Sequence, residues 1–417
     1  MQHAAYTFFL LVFLSYGFPW LAMAQERIEG RVLDKATQSP LAYASIGIAG
    51  KRYGTVSNES GSFTFRLPPE VSPSDTLICS FIGYATFRIP LQDLPKNPLT
   101  ISLDAIDLIL DEVVIRPRKP EDYIRSAVAK IPQNYLPQTH QTTGYYSDYL
   151  RENQTYLQSN ELLFVMNTPA YGDTTHPAVR VLQGRVREDL GELQFWKEKR
   201  AKQEQKKGEK SSNIRVENIF DGPADAVTFD PLRNLEPFLQ EENFGSYRYT
   251  LEDAVAYQGK TLMVIRFRPR GKVEHQKLSG RIFIDLQTEA FVSIEYEGEL
   301  IVPTALRPIL LLMGIGVSNP KVSKIARFRP LTEGWTLDNV LIQGRADLTD
   351  KKMFKKNEHF TYTLEQVFVV TDIATENIAP IPDHQRLDPK KPLSEQLPPY
   401  DAAFWERYNL IRPRAIK

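Results

Sequence analysis

The sequence predicts a mostly β protein in two parts. An N-terminal seven-stranded β-sandwich comes first, then a C-terminal curved antiparallel sheet or half-barrel with a few short helices. Three observations predict this. Apolar residues alternate with period two over long runs, as strands with one buried face require. Short polar turns such as Asn153-Gln154, Gln258-Gly259 and Thr288-Glu289 separate those runs. No helical 3.6-residue period appears in residues 28–103.

The chain opens on an export signal. Residues 1–24 carry no Lys, Arg, Asp or Glu, residues 7–14 are almost wholly apolar, and Ala22-Met23-Ala24 places small residues at the cleavage positions. Cleavage after Ala24 is expected, although no Lys or Arg precedes the apolar stretch. The alternative is a retained anchor, since the uncharged stretch is close to a bilayer span in length. Gly17 and Pro19 shorten its apolar run and favour cleavage. The signal predicts export to the periplasm or the inner face of the outer membrane. Acidic and basic residues balance at 51 each, so no net field favours nucleic acid. The single Cys79 excludes an internal disulfide and lies in an apolar strand, which reads as a buried thiol.

In the sandwich, Ile28 and Val32 alternate, then Ala44, Ile46 and Ile48, then Phe63, Phe65 and Leu67. Residues 77–82 form a fully apolar strand, residues 85–91 alternate, and Leu99, Ile101 and Leu103 close the set. The run from Gly54 to Phe63 reads as a tight polar turn.

Four motifs in this stretch carry a family resemblance: Ile28-Glu29-Gly30-Arg31-Val32; Ser39-Pro40-Leu41-Ala42-Tyr43-Ala44-Ser45-Ile46; Gly54-Thr55 through Gly61-Ser62-Phe63; and Ser80-Phe81-Ile82-Gly83-Tyr84. Together they resemble the carboxypeptidase-D-type regulatory domain, which has a prealbumin-like sandwich fold. That domain also forms N-terminal extensions of TonB-dependent outer-membrane receptors, and residues 110–115 resemble its closing segment there. Asn58 stands where the family often carries Asp. It suits the same turn but lowers the expectation of calcium at the turn. The resemblance implies no catalysis, because the domain accompanies peptidases without performing their chemistry. None of the six His has Glu three residues later, so the zinc ligands of such a peptidase are missing.

After a break at residues 117–120, Glu121 and Asp122 open a predicted helix with Tyr123, Ile124, Ala127, Val128 and Ile131 on one face. Pro132 and Pro137 are expected to end it. Strands are then predicted at 145–150, 155–166, 179–186, 247–257, 261–267, 281–286, 291–297, 322–328, 335–342 and 360–370, as one curved meander or half-barrel. Their rhythm is similar to exported half-barrels of the outer-membrane lipoprotein-carrier type. The order sandwich, helix, curved sheet resembles a group of exported two-domain proteins from Gram-negative bacteria whose role is undefined. The expected organisation is a signal peptide at 1–24, the sandwich at 25–118, the helix and curved sheet at 119–379, and a Pro-rich irregular tail at 380–417. Phe404, Trp405 and Tyr408 are expected to dock that tail onto the body.

Site candidates are few. Residues 197–210 hold seven basic and three acidic residues and read as a solvated loop or helix extension, with contact to acidic lipid headgroups or polyanions as the functional alternative. Glu295, Glu297 and Glu299 alternate on one strand face, which reads as solvated. Asp221, Asp225 and Asp230 sit beside Gly and Pro, which suggests turn and cap roles. No nucleophile elbow or phosphate-binding loop occurs, and no cofactor or metal is expected. The apolar run 309–315 is too short to span a bilayer. Ile309, Leu311, Leu312 and Ile315 are therefore the candidate contacts to an apolar ligand or partner, as a cover bordering a groove; ordinary core is the alternative.

These features predict a non-enzymatic, exported cell-envelope protein that binds a protein partner or an apolar, lipid-like ligand, with membrane-surface contact as a further expectation. Two alternatives stand beside it: an envelope hydrolase with an acidic site dispersed in sequence, and a plug-like module engaging an outer-membrane receptor. Convergence of three or more polar side chains on Glu295, Glu297 or the 221–230 group would favour the hydrolase.

Overall fold

The computed structural model describes residues 27–67, 70–95, 98–106, 118–187, 222–271, 276–302, 307–308, 310, 314–351 and 357–407. Two sheets form the sandwich. β1 (Arg27–Asp34) lies between β4 (Ser62–Arg66), antiparallel, and β7 (Leu99–Leu103), parallel. The second sheet runs β3 (Gly54–Val56), β2 (Ser45–Ile48), β5 (Thr76–Ser80), β6 (Phe87–Pro90). The alternating apolar residues meet between them: Val32, Ile46, Phe63, Leu77 and Ile101 are all buried. Cys79 is buried there too, and burial pushes its thiol up to about 12, as an unreactive core thiol requires.

The turn run divides in two. Its first residues form β3, and only residues 57–61 turn. Asn58 organises that turn: its Oδ1 accepts from the backbone N–H of Ser60 at 3.0 Å and of Ser62 at 2.9 Å. Gly61 has φ +74°, and a Cβ there would strike the Val32 carbonyl oxygen.

The predicted helix stops earlier than its prolines suggest. α1 (Pro120–Ala129) ends before Pro132, which falls in the first turn of a second short helix, α2 (Ile131–Asn134). Proline suits that position because its missing N–H has no intrahelical partner there.

Among the described residues the large sheet has eleven strands and is open: ten in the order β10-β9-β8-β18-β17-β16-β14-β13-β12-β11, and β15 paired to β17. These are β8 (His140–Glu152), β9 (Thr155–Thr168), β10 (Ala178–Val186), β11 (Tyr247–Tyr257), β12 (Lys260–Pro269), β13 (Gln276–Asp285), β14 (Phe291–Leu300), β15 (Ile315–Val317), β16 (Lys321–Leu331), β17 (Gly334–Asp350) and β18 (Glu358–Ala374). The expected hairpins form, and Asn153, Gln258 and Glu289 take positive φ at their tips. The sheet is not a simple meander. After β10 the chain crosses one face, through α3 (Ala224–Thr228) and two 3-10 turns (Pro237–Leu239 and Glu241–Ser246), and enters the opposite edge at β11. The last strand, β18, then pairs with β8 and joins the two halves.

This crossing gives the sheet an inner and an outer face. Residues 222–246 and α1 fill the inner face against Tyr146, Phe164, Ile265, Phe267, Ile282 and Phe368. The sandwich sits on the outer face, where Val56 meets Leu341, Val367 and Val369. Arg329 Nη1 donates to the Arg52 carbonyl at 2.9 Å, and Arg327 donates to the Tyr43 carbonyl. The tail also docks. Trp405, in α4 (Ala402–Arg407), is buried against Tyr145 and Leu163.

Candidate functional site

One row of residues runs across the inner face. Successive strand pairings place Tyr296 beside Lys324, Lys324 beside Ile342, Ile342 beside Gln366, Gln366 beside Asp148, and Asp148 beside Asn160. Side chains of paired residues share a face, so five polar groups line up under the crossing segment. That segment carries Asp225, Asp230 and Glu236.

At one end, the Asp148 carboxylate accepts from Gln158 Nε2 at 2.7 Å and Asn160 Nδ2 at 3.0 Å. Gln366 Nε2 donates to Asp225 Oδ2 and to the Tyr146 hydroxyl, each at 3.0 Å. Burial raises Asp148 to about 7, against the pull of its amide donors. Gln158 Oε1 is buried without a hydrogen-bond partner.

At the other end, Lys324 Nζ lies 3.4 Å from Glu236 Oε1, and the Tyr296 hydroxyl donates to the same carboxylate. Burial lowers Lys324, opposed by Glu236. Behind this pair Asp230 is fully buried. It accepts from the Tyr171 hydroxyl at 2.8 Å and the Leu232 N–H at 2.8 Å, and pairs with Arg233 at 3.7 Å. Burial raises its carboxyl despite Arg233.

The aspartates therefore do more than cap turns. Asp230 caps a local turn as expected, but it also anchors a buried cluster, and Asp225, in the first turn of α3, also accepts from Gln366 of the row. Asp221 lies outside the described residues. Glu295, Glu297 and Glu299 do not converge on the row. They project from the outer side of β14, with Glu295 3.6 Å from Arg327.

Chemically, the row holds a carboxyl that titrates near neutrality, but Asp148, Asp225, Gln158, Asn160 and Gln366 are each less than a tenth exposed. Among the described residues, no three His, Cys, Asp or Glu are grouped to hold a metal ion. The arrangement fastens the crossing segment to the sheet. Sequence reading missed it because Asp148 and Gln366 look like outward positions of alternating strands.

A second feature lies lower on the inner face, beyond the crossing segment. β17 and β18 are 17 residues each, so they extend about 55 Å. On their lower part Leu348, Tyr362 and Val317 are half-buried around Phe360 and Ile315, with Leu310 beside them. Ile315 is 5% exposed and pairs with Asp350 in β15. Ile309, Leu311 and Leu312 lie outside the described residues, as do residues 197–210, the signal segment and Tyr408. The lower face presents these apolar side chains beside two buried carboxylates, Glu152, which accepts from the Tyr362 hydroxyl, and Asp350.

Residues 28–115 match the model of the CarboxypepD_reg-like domain family. The N-terminal sandwich is a domain of that kind, as the four motifs imply. No curated protein matches the chain. Among solved structures, a DUF1329 family protein from Desulfovibrio piger is similar at 9% identity with a TM-score of 0.25, over 63% of this chain and 96% of that one. A protein of unknown function from Bacteroides fragilis is similar at 10% identity with a TM-score of 0.15, over 84% of this chain and 98% of that one. At these TM-scores the likeness bears on neither fold nor function.

Proposed function

We propose that this protein is an exported, non-catalytic cell-envelope module. It holds an apolar ligand, a lipid-like chain or an apolar partner segment, on the lower inner face of its long sheet. The observation that carries this reading is the half-buried apolar stretch of Leu348, Val317 and Tyr362 beside Leu310 and Ile315. Apolar area left partly in water gains about 25 cal/mol per Å² when covered, so such a stretch favours an apolar occupant. The regulatory-like sandwich agrees with this reading, since the domain type it matches accompanies catalytic domains without performing their chemistry. The test is titration with a fluorescent fatty acid. Saturable binding in the wild type, lost in Leu348→Asp at unchanged near-UV circular dichroism, supports the site. Equal binding by both proteins removes it.

A second reading, an envelope hydrolase, is favoured by one observation: Gln366 and Tyr146 link Asp225 to the Asp148 cluster. This is the polar convergence that the hydrolase alternative requires. The burial of every member counts against it, because a substrate must reach the carboxyls. Hydrolysis of ester or glycoside substrates that disappears in Asp148→Asn while the fold persists would establish this reading instead.

A further inference from the structure

The sandwich covers one end of β11 and β12. There the Gly83 N–H donates to the Ala256 carbonyl at 3.2 Å, and Gln258 Nε2 donates to Ser80 Oγ at 2.9 Å. The other end of the same two strands carries arginines. Pairing sets Arg248 of β11 directly opposite Arg268 of β12, and sets Arg266 of β12 opposite Arg281 of β13. No register shift falls between these pairs, so the four share the outer face, and all four are exposed. Their neighbours Tyr247, Phe267 and Ile282 point the other way and are buried. Arg266 and Arg281 share one carboxylate, Glu252, with the Arg281 Nε at 2.7 Å. Arg248 and Arg268 make no ion pair or side-chain hydrogen bond among the described residues. Like charges directly opposite each other weaken a strand pair, so this pair costs stability that a bound anion would return. Toward the middle of the sheet the glutamates of β14 end the patch, with Glu295 opposite Arg281.

We propose that this edge of the sheet, led by Arg248 and Arg268, docks on the phosphate headgroups of an anionic membrane surface. The charge selects an anion: four arginines stand against one glutamate on three strands. The shape selects a surface. The guanidiniums spread over strands about 4.8 Å apart, an array wider than one phosphate. The approach is edge-on, because the β14 glutamates repel the same surface from the rest of the outer face. β11 is the edge strand, and its Leu251 is 38% exposed on the inner side. An edge-on approach therefore brings an apolar side chain to the interface beside the arginines, the pairing of residue types that interfacial segments use.

The test is co-sedimentation of the full chain with vesicles of phosphatidylglycerol or of phosphatidylcholine. Wild type is expected to bind the anionic vesicles and to leave the zwitterionic ones in solution, with binding that falls as sodium chloride is raised. An arginine near such a surface strengthens binding about five-fold, so Arg248→Gln with Arg268→Gln should weaken it about twenty-five-fold. Leu348→Asp should bind as wild type does, which separates this contact from the apolar stretch of the inner face. The proposal is overturned if both vesicles bind equally, if the folded double variant binds like wild type, or if Leu348→Asp alone abolishes binding. It is also overturned if inorganic phosphate displaces the protein far better than sodium chloride of equal ionic strength, which would make the ligand a free anion. Binding to a polyglutamate peptide but to neither vesicle would assign the edge to an acidic protein partner instead. Should the double variant lose its fold, the salt series on wild type decides, and binding that salt leaves unchanged overturns the proposal.

Discussion

Lys324 and Gln366 stand two strands apart in one row of the inner face, and each meets a carboxylate from the same crossing segment: Glu236 for the lysine, Asp225 for the amide. The segment is therefore fastened at two points along the row. Lys324, Glu236, Asp225 and Asp148 each have a partner there, as a folded interior requires, while Gln158 Oε1 beside them does not.

Gln366→Leu should test that fastening. It leaves the Asp225 oxygen and the Tyr146 hydroxyl without the amide donor in a buried place. An orphaned buried polar group costs about 1–3 kcal/mol. A lower midpoint in urea, with unchanged slope, is expected; an unaltered midpoint would show that the row contributes nothing to holding the segment.

The row also predicts a pH dependence. Burial raises Asp148 to about 7, whereas an unfolded Asp titrates near about 4. Between those values the folded state keeps a proton that the unfolded chain has lost. Stability from this group is therefore present below the window and falls as pH rises through it, by up to about 1.4 kcal/mol per unit for one proton. Asp148→Asn cannot ionise, so its stability relative to wild type should climb from pH 4 to 7. A flat difference would contradict the shift.

His140 works in the opposite sense. It is buried, with Nε2 3.0 Å from Thr336 Oγ1, and burial lowers it to about 4. Between about 4 and an unfolded value near about 6.5 the unfolded chain takes the proton. Stability is present above that window and falls as pH drops through it. His140→Gln should flatten the acid side of the stability profile; an acid limb of unchanged steepness would count against this assignment.

Much of this fold is legible in the sequence. Asn153, Gln258-Gly259 and Glu289 mark their hairpins because the turns need positive φ, and Asn, Gly and short polar dipeptides announce that locally. The sandwich motifs are local in the same way. The row is not legible, because it depends on β18 pairing with β8. Asp148 and Gln366 are neighbours only through that long-range register, and no local pattern encodes it. The apolar run at 309–315 is legible as apolar, yet Ile315 pairs in a strand through a contact with Asp350 that the run itself does not announce.

The seat of the sandwich gives a further prediction. Arg329 bonds the Arg52 carbonyl at 2.9 Å and the Val370 carbonyl at 2.7 Å while paired with Asp338. Arg329→Ala leaves Asp338 without that partner and loosens the sandwich from the outer face. Calorimetry is expected to resolve a single wild-type transition into two. One unshifted transition would mean that the apolar contacts of Val56 hold the two parts unaided.

The proposed occupant of the lower inner face is an apolar chain or segment. Native mass spectrometry of the full chain, purified from cell envelopes in mild detergent, tests it most directly. Wild type is expected to retain a bound lipid-like molecule or apolar segment, and Leu348→Asp, equally folded, is not. Bare protein in both spectra, or the same bound mass in both, would contradict it.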